Sequence, residues 1–310
     1  MPHDAFALPA YYPDAMSVEY LGPQGLWAVA GSYSPHDHSP TDSPHVHLHA
    51  RTEVGLVLSG EEVIFYKGHR ASCRAGDVWL CPGWEPHGFR YARPNTAIVV
   101  LRFGPDFLGA ESFDGIPWFA LFSVAPALRP SVATADLRAR VLEIGHSLRR
   151  QIRTRPRRWE AAVRADLLRL LAELTRHWAP GDAHPGRATP RPATISRIAP
   201  ALRLAHAPLS RRPTVPQAAA ACGFTVSGFE KAFRRAVGES FTTFAMRARL
   251  NSCADQLLHT DRTVAAIAAD AGFVDPSHLR RRFRQRFNCS PSQLRRAAGP
   301  PSRRPPPART

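Results

Sequence analysis

Two groups of residues could carry chemistry. His45, His47 and His49 alternate along one extended segment, so their side chains share a face. Glu53 follows, and His87 comes just after Pro82-Gly83-Trp84. Imidazoles and a carboxylate gathered on one face can bind a cation or line a polar pocket. Far downstream, Ser277, His278, Arg280, Arg281, Arg282, Arg284 and Arg286 crowd one short stretch, and Ser227, Gly228, Glu230, Lys231, Arg234 and Arg235 another. The arginine-rich stretch is too polar for a core element. An arginine can bond a guanine edge through two parallel hydrogen bonds, or neutralise a phosphate.

The charge balance points the same way. The chain has 310 residues and a formal net charge of +16. Residues 194–310 hold 20 Lys+Arg against 6 Asp+Glu, whereas residues 1–193 hold 21 against 19. Almost the whole excess sits in the C-terminal third, as expected of a surface that meets a polyanion. No run of about 18 apolar residues suggests a membrane span, and Met1-Pro2-His3-Asp4 does not open a secretory signal. Five scattered cysteines, none in a C-x-x-C pair, suit a reducing cytoplasm better than a disulfide framework.

The elements that must position these groups differ along the chain. Residues 1–105 are expected to be β-rich, within an N-terminal domain spanning residues 1–133. Glu53–Leu58, Glu62–Tyr66, Asp77–Cys81 and Ala97–Phe103 are short β-prone runs separated by turn signals such as Ser59-Gly60 and Ala75-Gly76, a sandwich or barrel pattern. Across 134–178, Leu137, Val141, Ile144, Leu148 and Ile152, then Val163, Leu167, Leu170, Leu174 and Trp178, recur at helical spacing. This helical pair would bury its stripes on the barrel or on a second subunit, as a dimerisation element. Residues 179–193 are rich in Pro and Gly and are expected to be a linker. Residues 298–310 are expected to be a disordered basic tail.

Within 194–297 a segment occurs twice: Thr214-Val215-Pro216-Gln217-Ala218-Ala219-Ala220-Ala221-Cys222-Gly223-Phe224 and Thr263-Val264-Ala265-Ala266-Ile267-Ala268-Ala269-Asp270-Ala271-Gly272-Phe273. Each threonine is placed to cap a helix, and each glycine to end it with a left-handed turn. A second helix then begins, capped by Thr225 in one copy and by Asp275 in the other. Phe229 and Phe233, or Leu279 and Phe283, point inward. Residues 241–258 between the copies form one helix of about 27 Å, long enough to set two recognition helices about one DNA turn apart.

Residues 194–297 resemble the AraC-type regulator DNA-binding domain. The match runs from Arg249-Leu250 through Ala254 and Leu257-Leu258 to Ile267-Ala268, Gly272-Phe273, Ser277-His278, Phe283-Arg284 and Ser290-Pro291. The resemblance implies base contacts from Ser227, Glu230 and Lys231 in the first unit and from Ser277, Arg280 and Arg281 in the second. Glu230 would repel phosphates, and Pro276 removes a backbone donor, so the two helices depart from the pattern there.

In the N-terminal part, His47-x-His49-x3-Glu53-x6-Gly60 and Gly76-x5-Pro82 with His87 resemble the two cupin motifs. The four positions that bind metal in enzymes of that superfamily are filled by His47, His49, Glu53 and His87, a set that suits Fe, Mn, Zn or Ni. The second motif's expected glycine is Trp84 and its late asparagine Tyr91. Sensor domains of the AraC type keep such motifs without metal, so the same four residues are candidates for an effector pocket, with Trp79, Trp84 and Phe65 as apolar walls.

The fold expected is therefore multidomain α+β: a cupin-like β-barrel with two following helices, then an all-α double helix-turn-helix domain. The function expected is a cytoplasmic, non-enzymatic transcription regulator, with no catalytic residues and no cofactor unless a divalent metal sits on the barrel set. Its expected partners are a double-stranded DNA operator, a small-molecule effector, RNA polymerase if it activates, and a second copy in a homodimer. The competing reading is a metal-dependent cupin oxygenase or isomerase with a basic appendage.

Overall fold

The computed structural model describes residues 26–33, 45–47, 49, 51–66, 68–91, 95–109, 111–113, 115–180, 192–206, 213–287 and 289–297. Over these the chain divides into two units, one running to Ser196 and one from Arg197.

The first unit is built from β1 (Leu26–Tyr33), β2 (His45–His47), β3 (Thr52–Ser59), β4 (Glu61–Tyr66), β5 (His69–Arg74), β6 (Val78–Cys81), β7 (His87–Tyr91) and β8 (Thr96–Phe103). They form two antiparallel four-stranded sheets, ordered β1-β8-β3-β6 and β2-β7-β4-β5. Their inner faces share one core: Val57, Trp79, Cys81, Ile98 and Val100 from the first sheet meet Ile64, Tyr66 and Cys73 from the second. Side chains alternate along a strand, so Glu53 and Gly55 point inward with Val57, Glu62 points inward with Ile64 and Tyr66, and Arg102 points inward with Ile98 and Val100.

β3 is buried on both faces, which explains its continuous apolar run. Its outer residues Val54, Leu56 and Leu58 meet a helical layer. Three short elements follow the barrel: α1 (Pro105–Leu108), the hairpin β9 (Ser112–Phe113) and β10 (Ile116–Pro117), and α2 (Ala120–Ser123). Phe103 anchors them, with Phe107, Trp118 and Phe122 around it at ring separations of 5.9, 5.7 and 6.5 Å. Next come β11 (Pro130–Ser131), α3 (Ala135–Thr154) and α4 (Trp159–Arg176). Thr134 caps α3 by accepting the Leu137 N–H at 3.2 Å.

The apolar stripes of this helical pair are buried within the chain itself. Leu137, Leu148, Val163, Leu167, Leu170, Leu171 and Leu174 are fully enclosed, and a Cβ at Gly145 would lie 2.5 Å from Leu58 Cδ2 on β3. Arg138 locks α3 down by pairing with Asp77 at 2.8 Å and donating to the carbonyls of Ala75 and Val132. Of the two expectations for these stripes, burial within the chain is the one seen: α3 packs on the outer face of β1, β3 and β8, and α4 packs on α3, α1 and β11.

The expected linker 179–193 is also shorter than its composition suggests. Ala179–Pro180 form β12, paired antiparallel with β11, because Trp178 is buried and donates its indole N–H to Leu128 O at 3.1 Å. Helix α5 (Pro192–Ala205) already begins at Pro192. Residues 181–191 and the expected tail 298–310 lie outside the described residues.

The second unit contains the rest of α5, then α6 (Val215–Ala221), α7 (Val226–Val237), α8 (Phe241–His259), α9 (Val264–Asp270), α10 (Pro276–Phe287) and α11 (Pro291–Ala297). Its first core is aromatic: Phe229, Phe233, Phe241 and Phe244 are buried, with neighbouring ring centroids 5.4–5.6 Å apart. The second gathers Leu250, Leu257, Leu258, Ile267, Leu279, Phe283 and Leu294.

One position tests the barrel packing sharply. A Cβ at Gly55 would lie 1.9 Å from two ring atoms of Trp79, and the indole is pinned because its N–H donates to Glu53 Oε1 at 2.8 Å. Gly55→Ala is expected to cost about 1–3 kcal/mol or more, the usual penalty for overpacking a core. Thermal or urea unfolding would read the loss; unchanged stability would contradict this packing.

Candidate functional site

Two sites emerge, one in each unit. In the barrel, the interior carboxylate of Glu53 is the centre of a polar cluster. Its Oε2 accepts from Arg102 Nε at 2.6 Å and lies 3.2 Å from His49 Nε2. Its Oε1 accepts from Trp79 Nε1 at 2.8 Å and lies 3.3 Å from His87 Nε2. Strand register explains the arrangement: on β3, Glu53 stands directly opposite Arg102 of β8 and Cys81 of β6. His87 opens β7, while His49 lies just past the end of β2 rather than within it. His49 and His87 meet edge to face, with ring centroids 4.9 Å apart. All three of His49, Glu53 and His87 are buried.

Of the four expected barrel residues, these three are therefore brought together. His47 is opposite His87 in register, and its side chain lies outside the description. Trp79 and Trp84 are core residues at 5% and 2% exposure. Phe65 alternates with Ile64 and Tyr66 and is only half-buried, so it faces away from the barrel interior and does not line it. Trp84 occupies the place of the expected glycine, and its φ of +63° shows why glycine suits that place. A tryptophan there carries left-handed strain of about 1–2 kcal/mol, offset by burial of its ring and a 2.7 Å bond from its N–H to His49 O.

The metal question turns on charge more than on shape. His49 Nδ1 is bonded to Arg51 O at 2.7 Å and His87 Nδ1 to Glu85 O at 2.8 Å. Both imidazoles thus donate outward through Nδ1 and turn Nε2 toward the carboxylate; against its burial, Cys81 and Glu53 hold the His87 pKa well above the ordinary imidazole value, whereas burial lowers that of His49. The one acidic group of the set, however, is already paired with the guanidinium of Arg102, which stays charged at any ordinary pH. A divalent ion added here would bury two uncompensated positive charges, a heavy desolvation cost. With Arg102 in place, the residues do not fit a resident metal. Arg102 was missed in the sequence; its signal was a lone arginine on the inward alternation of an apolar strand.

Glu62 is the second surprise. It is 1% exposed, and its Oε2 has no hydrogen-bond partner. Burial, with the Glu53 charge adding to it, pushes its carboxyl up to about 8. The group is then protonated in the folded protein at neutral pH and ionised in the unfolded chain above its ordinary range.

The second site is a pair of like-built helix-turn-helix units. In the first, Thr214 accepts from Gln217 N and the Gln217 side chain accepts from Thr214 N, a reciprocal capping box that starts α6. The Phe224 N–H then reaches back to Ala219 O at 3.0 Å, and the Gly223 N–H to Ala220 O at 3.1 Å. In the second, Phe273 bonds Ala268 O at 2.9 Å and Gly272 bonds Ala269 O at 2.8 Å. Both are Schellman closures with glycine in the left-handed region, at φ +67° and +63°. Each phenylalanine also lies beneath an arginine from the preceding long helix. Arg197 is 4.1 Å above the Phe224 ring, and Arg249 is 5.4 Å above that of Phe273.

Helices α7 and α10 start from Thr225, which accepts from Gly228 N at 3.3 Å, and Asp275, which accepts from His278 N at 2.8 Å. Ser227, Glu230, Lys231, Arg234 and Arg235 on α7, and Ser277, Arg280, Arg281, Arg282 and Arg284 on α10, are all exposed. Two residues of the expected polar face depart from it. His278 is half-buried with its ring edge-on to Phe273 at 5.3 Å, and Arg286 is half-buried over Phe287 at 5.6 Å. Both brace their helix.

Comparison with known families agrees with this construction. Residues 218–297 match the family described as a helix-turn-helix domain, and residues 34–101 match the cupin domain family. The chain thus carries an AraC-type helix-turn-helix domain and a cupin domain. Among similar proteins, an uncharacterized HTH-type transcriptional regulator of Staphylococcus aureus is 21% identical over 246 residues, 78% of this chain and 31% of that protein. The transcriptional activator NphR of a Rhodococcus species is 37% identical over 83 residues, 27% of this chain and 24% of its own length. The chain thus spans about a third of the length of the first curated relatives it matches. A solved structure of a probable AraC family transcriptional regulator from Rhodopseudomonas palustris is 31% identical, covering 34% of this chain and 98% of that one, with a TM-score of 0.32.

Glu62 supplies a pH test. Its carboxyl is raised in the folded state, so its penalty is absent below the unfolded value near 4.5, grows as pH rises, and is complete above about 8. Glu62→Gln, which stays neutral, is expected to match the wild type near pH 4.5 and to be more stable by on the order of 3 kcal/mol at pH 7. Unfolding curves across pH 4.5–8 check this; a gap that does not widen with pH would contradict it.

Proposed function

We propose that the protein is a sequence-specific DNA-binding transcription regulator whose barrel senses a small molecule. The observation that carries the reading is the state of its cations. Lys231, Arg234 and Arg235 on α7, and Arg280, Arg281, Arg282 and Arg284 on α10, are exposed and make no ion pair among the described residues. In the first unit Arg102, Arg129, Arg138, Arg140, Arg164, Arg169 and Arg176 are each paired with a carboxylate. The exposed Arg150, Arg153, Arg155, Arg157 and Arg158 also show no ion pair among the described residues, but they cluster at the turn between α3 and α4 rather than along one helix face. Cations left unpaired on two rigidly aimed helices suit the phosphates and base edges of successive major grooves.

On this reading Ser227, Glu230 and Lys231, and Ser277, Arg280 and Arg281, face base edges, while Arg234, Arg235 and Arg284 lie nearer the backbone. The effector is a small molecule held against the polar interior around His49, Glu53 and His87, and it acts only through a difference in affinity between two states of the regulator. The protein works in the cytoplasm, is not an enzyme, and meets RNA polymerase where it activates. A homodimer must use a surface other than the buried stripes of α3 and α4. Among the described residues no helix is long and apolar enough to cross a membrane.

Two experiments test this. Arg281→Ala is expected to weaken binding to the operator by about 1–3 kcal/mol while changing non-specific binding far less. Equal loss on both would refute base reading by Arg281. Wild-type affinity should also fall steeply with salt as phosphate contacts release counterions. In the barrel, the Glu53–Arg102 pair replaces a metal. Wild-type protein dialysed against Zn(II) or Ni(II) and then desalted should keep far less than one equivalent, and Arg102→Leu should keep more. Tight stoichiometric metal in the wild type would overturn this and favour the cupin-enzyme reading.

A further inference from the structure

Among the described residues, two large hydrophobic side chains are exposed: Val226 at 45% and Val274 at 85%. Single exposed apolar side chains are ordinary on a protein surface, but the position of these two is not. Val226 is the first residue of α7 and Val274 lies two residues before the start of α10. Each therefore sits at the leading end of a recognition helix, just after its glycine turn. The backbone is fixed on both sides, by the Schellman bonds of Phe224 and Phe273 before it and by the Thr225 and Asp275 caps around it. Neither valine can fold back into the core, which Phe229 and Leu279 already fill at full burial.

The surroundings restrict the partner. Ser227 and Ser277 are exposed beside the two valines, and the unpaired cations of α7 and α10 follow. A protein or lipid surface that covered the valines would have to bury those cations too. A DNA major groove does not: phosphates take the cations, and its floor presents one strongly apolar group, the C5-methyl of thymine. The leading end of a recognition helix is the part that reaches that floor.

We propose that Val226 and Val274 read thymine methyl groups, one in each half of the operator. The proposal rests on the DNA-binding reading above and adds a specificity that the arginines cannot supply. Burying one methyl group is worth a factor of about 4 in affinity, so each valine selects thymine over cytosine modestly without creating the site.

The test replaces each operator thymine in turn by deoxyuridine, which lacks only the methyl group. It also replaces each valine by serine, which lacks both methyl groups, V226S and V274S. With wild-type protein, about 3- to 5-fold weaker binding is expected at one thymine in each half-site. V274S should lose sensitivity at one of these positions and V226S at the other, while Arg281→Ala keeps both sensitivities. Operator binding that stays specific and Arg281-dependent but is indifferent to every deoxyuridine would overturn the valine proposal alone. Absence of any specific binding would overturn the DNA reading with it. Retained folding of each variant is checked by its unchanged melting temperature.

Discussion

A left-handed glycine after a short helix of small residues fixes the aim of each recognition helix. At Gly223 and Gly272 the chain needs φ near +65°, a conformation that any side chain with a Cβ pays about 1–2 kcal/mol to adopt. The small residues before each glycine let the helices pack closely. The phenylalanine after each glycine satisfies the last carbonyls and docks under an arginine. The direction of α7 and α10 then follows from backbone hydrogen bonds rather than from flexible side chains. That is what allows a few exposed serines, arginines and valines to be read as a geometric pattern rather than as a diffuse positive patch.

The barrel obeys a different constraint, the need to satisfy a buried carboxylate. Glu53 is placed by strand register opposite Arg102, and Trp79 and two histidines complete its shell. The same pinned indole covers Gly55 and fills the interior. In a pattern that resembles a metal site, the carboxylate of Glu53 is already compensated by the guanidinium of Arg102. Glu62 holds its proton because burial, and after it the nearby Glu53 charge, raises its pKa.

Much of this was legible in the sequence for identifiable reasons. Thr214, Gln217, Gly223 and Phe224 act within eleven residues of one another, and local hydrogen bonding is what sequence spacing encodes. The four β-prone runs were visible because turn glycines bound them. Strands β1, β5 and β7 were not, since their pairing is decided by distant partners. The same limit hid Arg102: its meaning depends on a residue 49 positions away. The stripes of α3 and α4 were read as buried, but periodicity cannot say against what: α3 lies on the outer face of β1, β3 and β8, and α4 on α3, α1 and β11. Val226 and Val274 gave no signal because exposure is not written in a residue's type.

The most direct test of the central claim is a selection of genomic DNA fragments on the purified full-length protein at near-physiological salt. The account predicts a few strongly enriched sites sharing a two-part motif, with its halves about one helical turn apart. Recovery no better than random fragments, across candidate effectors and with intact DNA, would contradict it.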